Sequence, residues 1–329
     1  MAKPASRILG TGHYVPERIL TNHDLERMVD TSDQWIVERT GIRQRRIAAD
    51  GEFTSDMAAE ASKRAIEAAG LRPEDIDLVV LGTVTPDMPL PSTAMFVARK
   101  VGIPVGVPAF DLAAACAGFV YGLTIADQFV RSGTARHVLV IGVELLSRVL
   151  DWTDRTTCVL FGDGAGAVVV GPSDGERGLL ASSIHGDPTL AESLCIPAGG
   201  SREPASPETL EGRRHFVKMN GRDIFKVAVR YLTQASKDVI EAAGLRGEDI
   251  DWVVPHQANT RILEGVAQRC GVPYERFYIN IDRYGNTSSA SIPIALDEAV
   301  RAGTITEGQH VLMTALGGGI AWGAALLRW

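Results

Sequence analysis

Short hydrophobic runs alternate along the chain with longer stretches whose apolar positions recur every three or four residues. The run VGVPAF (105–110) is typical of a buried strand, and AGFVYGLTIADQFVRSG (117–133) is typical of an amphipathic helix. The segment AIEAAGLRPEDIDLVVLG (65–82) combines a helix end, a glycine stop, a polar turn and a strand. This order predicts an α/β protein in which helices cover mostly parallel or mixed sheets.

The same pattern occurs twice along the chain. Residues 239–256 (VIEAAGLRGEDIDWVVPH) repeat residues 65–82 at an offset of 174, and residues 299–317 repeat residues 129–142 at an offset of 170. Such a period is far too long for a solenoid unit. Two long repeats in the same order instead predict two similar halves, packed together as a duplicated α/β sandwich.

Length and composition agree with two such halves, which we assign to residues 1–175 and 176–329. Hydrophobic residues make up 45% of the chain and charged residues 22%, the profile of a soluble globular protein. The net charge of −7 argues against a nucleic-acid partner. No apolar run is long enough to span a bilayer, and the N-terminus has no signal-peptide pattern, so we expect no membrane association.

The cysteines indicate the compartment and the absence of a metal site. Cys116, Cys158, Cys195 and Cys270 have no close pairing, which favours reduced thiols in a cytoplasm over a disulfide framework. No Cys or His cluster has the spacing of a metal site, so we expect no bound metal.

Cys116 lies between the strand-like run and the amphipathic helix, among small residues. The positive end of a helix favours a thiolate, so we expect this position to lower the thiol pKa and to raise its reactivity. The small neighbours would let a substrate reach the sulfur and the backbone N–H. A buried structural cysteine is the alternative interpretation.

The repeat connects Cys116 with two polar residues of the second half. The offset of 170 makes Asn286 the counterpart of Cys116, and the offset of 174 makes His256 the counterpart of Gly82. Active sites of α/β proteins gather at strand ends and helix starts, so the three polar groups are expected to converge. Taken singly, His256 is as readily a structural residue and Asn286 a turn residue.

Three further segments suggest ligand contacts, each with an ordinary structural alternative. The glycine-rich LGGGIAWGAALL (316–327) predicts a turn whose N–H groups can stabilise an oxyanion, unless it is a plain hairpin. The segment DQWIVERTGIRQRR (33–46) combines Trp35, which can stack on a base, with arginines that can meet phosphates, unless it is a solvated turn. A basic patch on two predicted helices suits an acidic partner, unless it is a solvated face; it contains Lys226, Arg230, Arg261 and Arg269.

Six segments form a combination far more specific than any one of them. They are TSDQWIVERTGIRQRR, DLAAACAGFVYGL, DRTTCVLFGDGAGA, PHQANTRI, GNTSSASIP and ALGGGIAWGAAL. Together they resemble the β-ketoacyl-acyl-carrier-protein synthase III family, the initiating condensing enzymes of type II fatty-acid synthesis, over essentially the whole chain. The resemblance implies a thiolase-like fold, which is an αβαβα five-layered sandwich formed by duplication, and a homodimer.

The resemblance also implies roles for individual residues. Cys116 resembles the acylated nucleophile, and His256 and Asn286 resemble its partners in decarboxylative condensation. The backbone N–H groups of Cys116 and Gly319 resemble an oxyanion hole. Asn259 resembles a supporting residue that orders water near the site.

Other positions resemble substrate contacts. Those that hold the nucleotide of coenzyme A are Trp35, Arg39 and Arg155. Those of the carrier-protein landing patch are Lys226, Arg261 and Arg269. Leu90 matches a position that lines the acyl pocket across the dimer interface and often holds an aromatic residue in acetyl-selective members.

The implied reaction is a ping-pong condensation. An acyl-CoA acylates Cys116, and malonyl acyl carrier protein then loses carbon dioxide and condenses with the acyl group to give the 3-ketoacyl carrier protein. The neutral donors His256 and Asn286 suit the enolate that forms. Acyl-CoA is a substrate, and no metal or redox cofactor is required.

Two other functions fit parts of the sequence. A thiolase-fold acyltransferase would move an acyl group from CoA to an alcohol or amine, with His256 as general base. A non-catalytic partner subunit of the same fold is the second alternative, and the presence of Cys116 argues against it.

Overall fold

The computed structural model describes residues 4–329, without the side chain of Arg222, so residues 1–3 of the predicted first half lie outside the described range. The strands of the described chain are β1 Ser6–Tyr14, β2 Arg18–Thr21, β3 Gln44–Ile47, β4 Leu78–Gly82, β5 Ala109–Leu112, β6 Val138–Glu144, β7 Gly164–Pro172, β8 Gly178–Gly186, β9 Leu194–Cys195, β10 Lys218–Met219, β11 Trp252–Pro255, β12 His310–Gly317 and β13 Ala321–Arg328. The α-helices are α1 Asn22–Glu26, α2 Asp33–Thr40, α3 Thr54–Ala68, α4 Thr93–Val101, α5 Gly118–Arg131, α6 Pro207–Glu211, α7 Gly221–Ala242, α8 Thr260–Cys270, α9 Ile281–Tyr284 and α10 Ser291–Arg301.

Two mixed sheets form the frame of the molecule. The first has the strand order β1-β7-β6-β4-β5, in which β4 is parallel to β5 and β6. The second has the order β11-β12-β13-β8, in which β11 is parallel to β12. All other neighbouring strands in these two sheets pair antiparallel. The central strands read as continuous apolar runs because helices cover both faces of each sheet.

The helices and sheets form five layers, as the resemblance implies. Helices α3 and α4 pack on the outer face of the first sheet, and α7 and α8 pack on the outer face of the second. Helices α5 and α10 lie between the sheets and contact strands of both. Apolar residues of α5 and α10 share one buried core with both sheets. The described chain has no helix that is both long and apolar enough to cross a membrane.

The middle layer packs closely against the first sheet. A Cβ atom on Gly142 of β6 would lie 2.2 Å from the carbonyl oxygen of Ser289, in the turn before α10. Glycine at this position therefore allows the turn to lie directly on the end of β6. The same strand ends at Glu144, so this close approach also fixes where that carboxylate meets the turn.

The two halves have matching topologies. All strands of the first sheet lie within residues 6–172, and all strands of the second lie within residues 178–328. Both sheets place their strands in the same order, with β8, β13, β12 and β11 corresponding to β1, β7, β6 and β4. The division into residues 1–175 and 176–329 stays a prediction.

Two sequence-based expectations about local structure need correction. The strand predicted over residues 105–110 begins only at Ala109, because Val105 is fully exposed and Pro108 lacks the N–H that a ladder requires. The counterpart of Cys116 is Ser289 rather than Asn286. In both halves a residue with positive φ, Ala115 or Ser288, precedes that position, and a helix begins two residues after it.

Candidate active site

Cys116 lies at the junction that the sequence predicts. Strand β5 ends at Leu112, a 3-10 turn covers residues 115–117, and α5 begins at Gly118. Ala115 has a φ of 45°, a left-handed conformation that is uncommon for a residue with a side chain. Cys116 is only 5% exposed. Packing on both sides of the turn therefore holds the thiol inside the protein.

Burial raises the pKa of the Cys116 thiol to about 12. The nearby Ser288 side chain opposes this increase in the thiol pKa, whereas the carboxylate of Glu144 adds to it. Contrary to the expectation that the helix start lowers this pKa, the loss of hydration on burial raises it. Formation of the thiolate needs a group that takes its proton.

His256 directly follows β11 and is 3% exposed. Its backbone N–H donates to the carbonyl of Thr314 at 2.8 Å, and its Nδ1 lies 2.7 Å from Oγ of Ser291. Burial lowers the pKa of His256 to about 3, against an opposing effect of the Ser288 backbone. The imidazole is therefore neutral at pH 7, and Nε2 is the ring nitrogen left for a substrate.

Asn286 is held by both its backbone and its side chain. Its N–H donates to the carbonyl of Leu160 at 2.9 Å, and its carbonyl accepts from the N–H of Gly162 at 3.0 Å. Its side-chain Oδ1 accepts from the N–H of Ser288 at 2.8 Å. Because the amide oxygen is engaged, the amide Nδ2 is the group left to donate to a ligand.

Two cavities meet at Cys116. One, of about 170 Å³, is lined by Cys116, His256 and Asn286 together with Asn259 and apolar side chains of α7 and α8. The other, of about 300 Å³, is lined mainly by apolar side chains, including Leu146, Phe161 and Val217. The structure therefore brings the three predicted catalytic residues to one cavity and adds a separate apolar cavity beside the sulfur.

The glycine-rich turn between β12 and β13 lies against the Cys116 backbone. A Cβ atom on Gly317 would lie 2.4 Å from the backbone nitrogen of Cys116, and Gly318 lines the larger cavity. Gly319 has a φ of 69°, is exposed and lines neither cavity. Gly318, rather than the expected Gly319, therefore shares this cavity with Cys116.

Three residues that resemble nucleotide contacts lie together at the surface. The guanidinium carbons of Arg39 and Arg155 lie 4.7 and 5.4 Å from the ring centroid of Trp35. Arg155 also donates to the carbonyl of Asp30 at 2.6 Å, which fixes its position. An indole flanked by two guanidinium groups suits a ligand that contains an aromatic base and phosphates.

Other arginines of the same sequence segment have structural tasks. Arg45 is fully buried and donates to Oδ1 of Asn22 at 2.8 Å and to the carbonyl of Val159 at 2.7 Å. Arg46 donates to the carbonyl of Pro16 at 3.1 Å. Both arginines therefore stabilise the region of the paired strands β2 and β3. The expectation that they meet phosphates is wrong.

Asn259 connects the cavity with the surface group around Trp35. Its Oδ1 caps α8 by accepting from the N–H of Arg261 at 2.9 Å. Its Nδ2 donates to the carbonyl of Arg39 at 2.8 Å. Arg261 donates to the carbonyl of Glu38 at 2.9 Å. One helix start therefore positions α2 beside the mouth of the smaller cavity.

The remaining basic residues lie on two helices that pack together. Lys226 on α7 and Arg269 on α8 are exposed, and Lys226 forms an ion pair with Asp223 at 3.7 Å. The two helices meet where Gly265 packs against Val229. The outer surface of α7 and α8 therefore presents positive charge near the cavity entrance in an otherwise acidic chain.

Leu90 lies at the surface, outside both cavities at Cys116. It is 83% exposed and lines neither of them. Met88 and Met95 are also exposed, at 43% and 50%. A cluster of exposed large apolar side chains is typical of a surface that another protein covers.

Sequence reasoning missed the polar residues behind the cavity. Glu144 and Ser288 contact each other, and Ser291 contacts His256. A carboxylate at the end of the apolar run VLVIGVE, and serines clustered in NTSSAS, are the signals that were available. Among the described side chains, no group of three or more His, Cys, Asp or Glu residues could hold a metal ion.

Comparisons with known proteins show the family of the chain. Residues 110–188 match the family model described as 3-oxoacyl-[acyl-carrier-protein (ACP)] synthase III, and residues 240–329 match the model of its C-terminal part. Residues 50–145 also match the model of stage V sporulation protein AD.

Similar proteins match over the full length. The beta-ketoacyl-[acyl-carrier-protein] synthase III of Caldanaerobacter subterraneus is 53% identical over 99% of this chain and 98% of its own. That of Thiobacillus denitrificans is 54% identical over 98% and 99%. The crystal structure of 3-oxoacyl-[acyl-carrier-protein] synthase III from Aquifex aeolicus has a TM-score of 0.91 and 48% identity, covering 98% of this chain and 100% of that one.

Proposed function

Because the chain belongs to the 3-oxoacyl-[acyl-carrier-protein] synthase III family, we propose that Cys116, His256 and Asn286 carry out the condensation that starts fatty-acid synthesis. The enzyme is an acyltransferase of the condensing type. The convergence of these three residues on one buried cavity is the observation that carries the assignment. Its substrates are an acyl-CoA and malonyl acyl carrier protein.

Acylation of Cys116 is the first step. The sulfur attacks the thioester carbon of acyl-CoA, and the bond to the CoA sulfur breaks. The backbone N–H groups of Cys116 and Gly318 are suited to stabilise the negative charge on the carbonyl oxygen. The acyl chain occupies the larger, apolar cavity, because burial of each methylene group there contributes about 0.8 kcal/mol.

Condensation is the second step. Malonyl carrier protein loses carbon dioxide, and the electron pair of the broken bond forms an enolate whose oxygen accepts hydrogen bonds from His256 and Asn286. Donation from Nε2 requires that Nδ1 of His256 accepts the Ser291 hydroxyl proton, which Ser291 can otherwise donate to the carbonyl of Ser288. The enolate carbon then attacks the acyl group, releases the Cys116 sulfur and forms the 3-ketoacyl carrier protein.

The first step is tested by intact-protein and peptide mass spectrometry after incubation with a panel of acyl-CoAs. We expect one acyl group per chain, attached to Cys116, and no acylation of Cys116→Ala. Cys195→Ser is the matched control, because Cys195 lines the same larger cavity but lies outside the helix start. An acyl group on Cys158, Cys195 or Cys270 would overturn the assignment.

The nucleotide of CoA binds at Trp35, Arg39 and Arg155 in this proposal, and Asn259 keeps that surface in register with the cavity. The reaction itself uses thioester exchange and decarboxylation, so it requires no metal or redox cofactor. All four cysteines are free in the described structure. Free thiols support a reducing compartment such as the cytoplasm.

The carrier protein docks on the basic surface of α7 and α8, formed by Lys226, Arg261 and Arg269. Arg261 also holds α2 through Glu38, so its replacement would disturb the acyl-CoA surface as well. Lys226 and Arg269 are better probes, because among the described side chains they have polar contacts within their own helices, to Asp223 and to the carbonyl of Gly265.

Reversing both charges, in Lys226→Glu/Arg269→Glu, should raise KM for malonyl carrier protein about tenfold, equivalent to about 1.4 kcal/mol, and leave acylation by acyl-CoA unchanged. Steady-state kinetics and single-turnover acylation measure the two effects. Lys63→Glu, on the opposite outer layer, is the control and should change neither. Equal losses for both substrates would argue against a separate docking surface.

A second copy of the chain covers the exposed apolar residues near Leu90 in this proposal and receives Leu90 at its acyl cavity. Leu90→Phe should then shorten the longest primer accepted, because each methylene that no longer fits costs about 1–3 kcal/mol. Single-turnover acylation with acyl-CoAs of increasing length measures this limit. Val105→Phe is a control at another exposed apolar position. An unchanged chain-length profile in Leu90→Phe would show that another residue sets the limit.

A further inference from the structure

Glu144 is a fully buried carboxylate that the proposed condensation does not use. It accepts hydrogen bonds from the N–H of Val84 at 3.0 Å and from the hydroxyl of Thr85 at 2.9 Å. The hydroxyls of Ser288 and Ser289 each donate to it at 3.1 Å. No Lys or Arg side chain of the described structure forms an ion pair with it. Burying a carboxylate without a cation lowers the stability of the fold, so the presence of Glu144 here suggests a functional role.

Ser288 connects this carboxylate with the nucleophile. Its hydroxyl donates to Oε1 of Glu144, and its side chain is close enough to the Cys116 thiol to favour the thiolate. Ser288 and Cys116 line the same larger cavity, and Ser288 is 2% exposed. Its φ of 50° is a left-handed conformation, uncommon for a residue with a side chain, in the turn before α10. Thiol, hydroxyl and carboxylate thus form a continuous buried path.

We propose that Glu144 accepts the proton of the Cys116 thiol through the Ser288 hydroxyl when the enzyme is acylated. This inference rests on the proposed role of Cys116 as nucleophile. As the sulfur attacks the thioester carbon, its proton passes to Oγ of Ser288, and the Ser288 proton passes to Oε1 of Glu144. When the carbon–sulfur bond to CoA breaks, the departing sulfur takes a proton back through the same hydroxyl. CoA leaves as a thiol, and Glu144 is again a carboxylate.

The charge balance of the cavity supports this path. Ionising Cys116 while Glu144 stays charged would place two negative charges in one buried region, which is why the carboxylate raises the pKa of the thiol. Transferring the proton from sulfur to carboxylate only moves a single negative charge from one end of the path to the other. Glu144 acts through Ser288 and does not touch the substrate, so it is a positioning residue for the proton.

His256 is the other titratable group beside Cys116, and it is the weaker base. Burial lowers the pKa of His256 to about 3, whereas burial raises the pKa of Glu144 to about 7, even against its hydrogen bonds. A base with a pKa near the working pH combines a useful ionised fraction with a strong pull on the proton.

Charged groups on the neighbouring elements have other partners. Asp163, next to β7, accepts from the N–H groups of Ala48 and Ser147. Asp87, beyond Thr85, accepts from Ser55, and Arg148, in the turn after β6, donates to the carbonyl of Glu52. We therefore expect the pH dependence of Cys116 acylation to follow the ionisation of Glu144.

The experiment measures the rate of single-turnover acylation by acetyl-CoA between pH 5 and 10. In the unmodified enzyme the rate should rise as pH passes about 7, where Glu144 ionises, and then level off. Glu144→Gln should be about a hundredfold slower at pH 7, and its rate should keep rising with pH as the thiol itself ionises. Ser288→Ala should behave in the same way, and the double variant should be no slower than the slower single one.

Two further variants separate proton transfer from a structural effect. Glu144→Asp keeps a carboxylate and should restore the levelling of the profile with part of the rate. Asp163→Asn removes another fully buried carboxylate and should leave the profile unchanged. If Glu144→Gln retains the profile of the unmodified enzyme, or loses both half-reactions equally at every pH, the proposal is wrong. If Glu144→Gln does not fold, Ser288→Ala alone decides by the same criterion. Failure of the unmodified enzyme to acylate Cys116 would instead overturn the proposed function.

Discussion

Replacing Asn286 by Ala should lower carbon dioxide release from malonyl carrier protein by a hundredfold or more, while Cys116 is still acylated. The backbone of Asn286 is held by Leu160 and Gly162, and its Oδ1 is engaged by Ser288, so Nδ2 is a preorganised donor. Loss of one donor to a developing oxyanion typically costs about 3–4 kcal/mol. His256→Ala should have the same effect, because the neutral imidazole supplies the second donor to the enolate.

The two half-reactions are measured separately, by labelled carbon dioxide release and by single-turnover acylation. Asn280→Ala is the matched control, because Asn280 is 2% exposed and bonded to Glu298 but lines neither cavity. It should change stability and leave the ratio of the two rates unchanged. One outcome would contradict the proposed condensation. An unmodified enzyme that self-acylates, never releases carbon dioxide and passes its acyl group to an alcohol or amine is a transferase.

Gly317→Ala should abolish acylation of Cys116 and destabilise the fold. The added Cβ would lie 2.4 Å from the backbone nitrogen of Cys116 and 3.0 Å from the Cβ of Ala115. Backbone atoms on both sides prevent relief by side-chain movement, so the nucleophile must shift away from its donors. Overpacking of this kind costs about 1–3 kcal/mol or more in stability. A displaced nucleophile typically loses a further hundredfold in rate.

Gly319→Ala is the comparison variant for Gly317→Ala. Its added Cβ would meet no atom within 4 Å, although the φ of 69° costs about 1 kcal/mol of strain for a residue with a side chain. Acylation by acyl-CoA and the thermal midpoint should therefore change little compared with Gly317→Ala. A large acylation defect in Gly319→Ala with normal stability would restore Gly319, rather than Gly318, as the oxyanion donor.

The sequence predicts much of this architecture because the chain repeats itself. The halves, the mixed sheets and the strand–turn–helix position of Cys116 follow from apolar runs, glycine stops and the repeat. The offset of 170 failed at the nucleophile because the repeat is not uniform in length. The equivalence of Cys116 with Ser289 depends on backbone conformation, which sequence spacing does not specify.

The candidate site is harder to derive, because burial and turn geometry decide it. A helix start suggests a reactive thiolate, but only the folded structure reveals that desolvation raises the pKa of Cys116. Three adjacent glycines look alike in sequence, yet one packs on the nucleophile and another faces solvent. In the sequence, Glu144 is an ordinary residue at the end of a strand. Only the structure shows that the hydroxyl groups bonded to it belong to the other half of the chain.

The shared middle layer has a consequence for how the enzyme folds. Helix α5, from the first half, contacts strands β8 and β13 of the second, and α10, from the second half, contacts β1 and β7 of the first. Neither sheet can cover its inner face with helices of its own half alone. The two halves should therefore unfold in a single cooperative transition, and a fragment ending near residue 175 should remain a loosely packed, aggregation-prone chain. The repeat divides the chain into two halves of matching topology, but the two halves are expected to fold together as one unit.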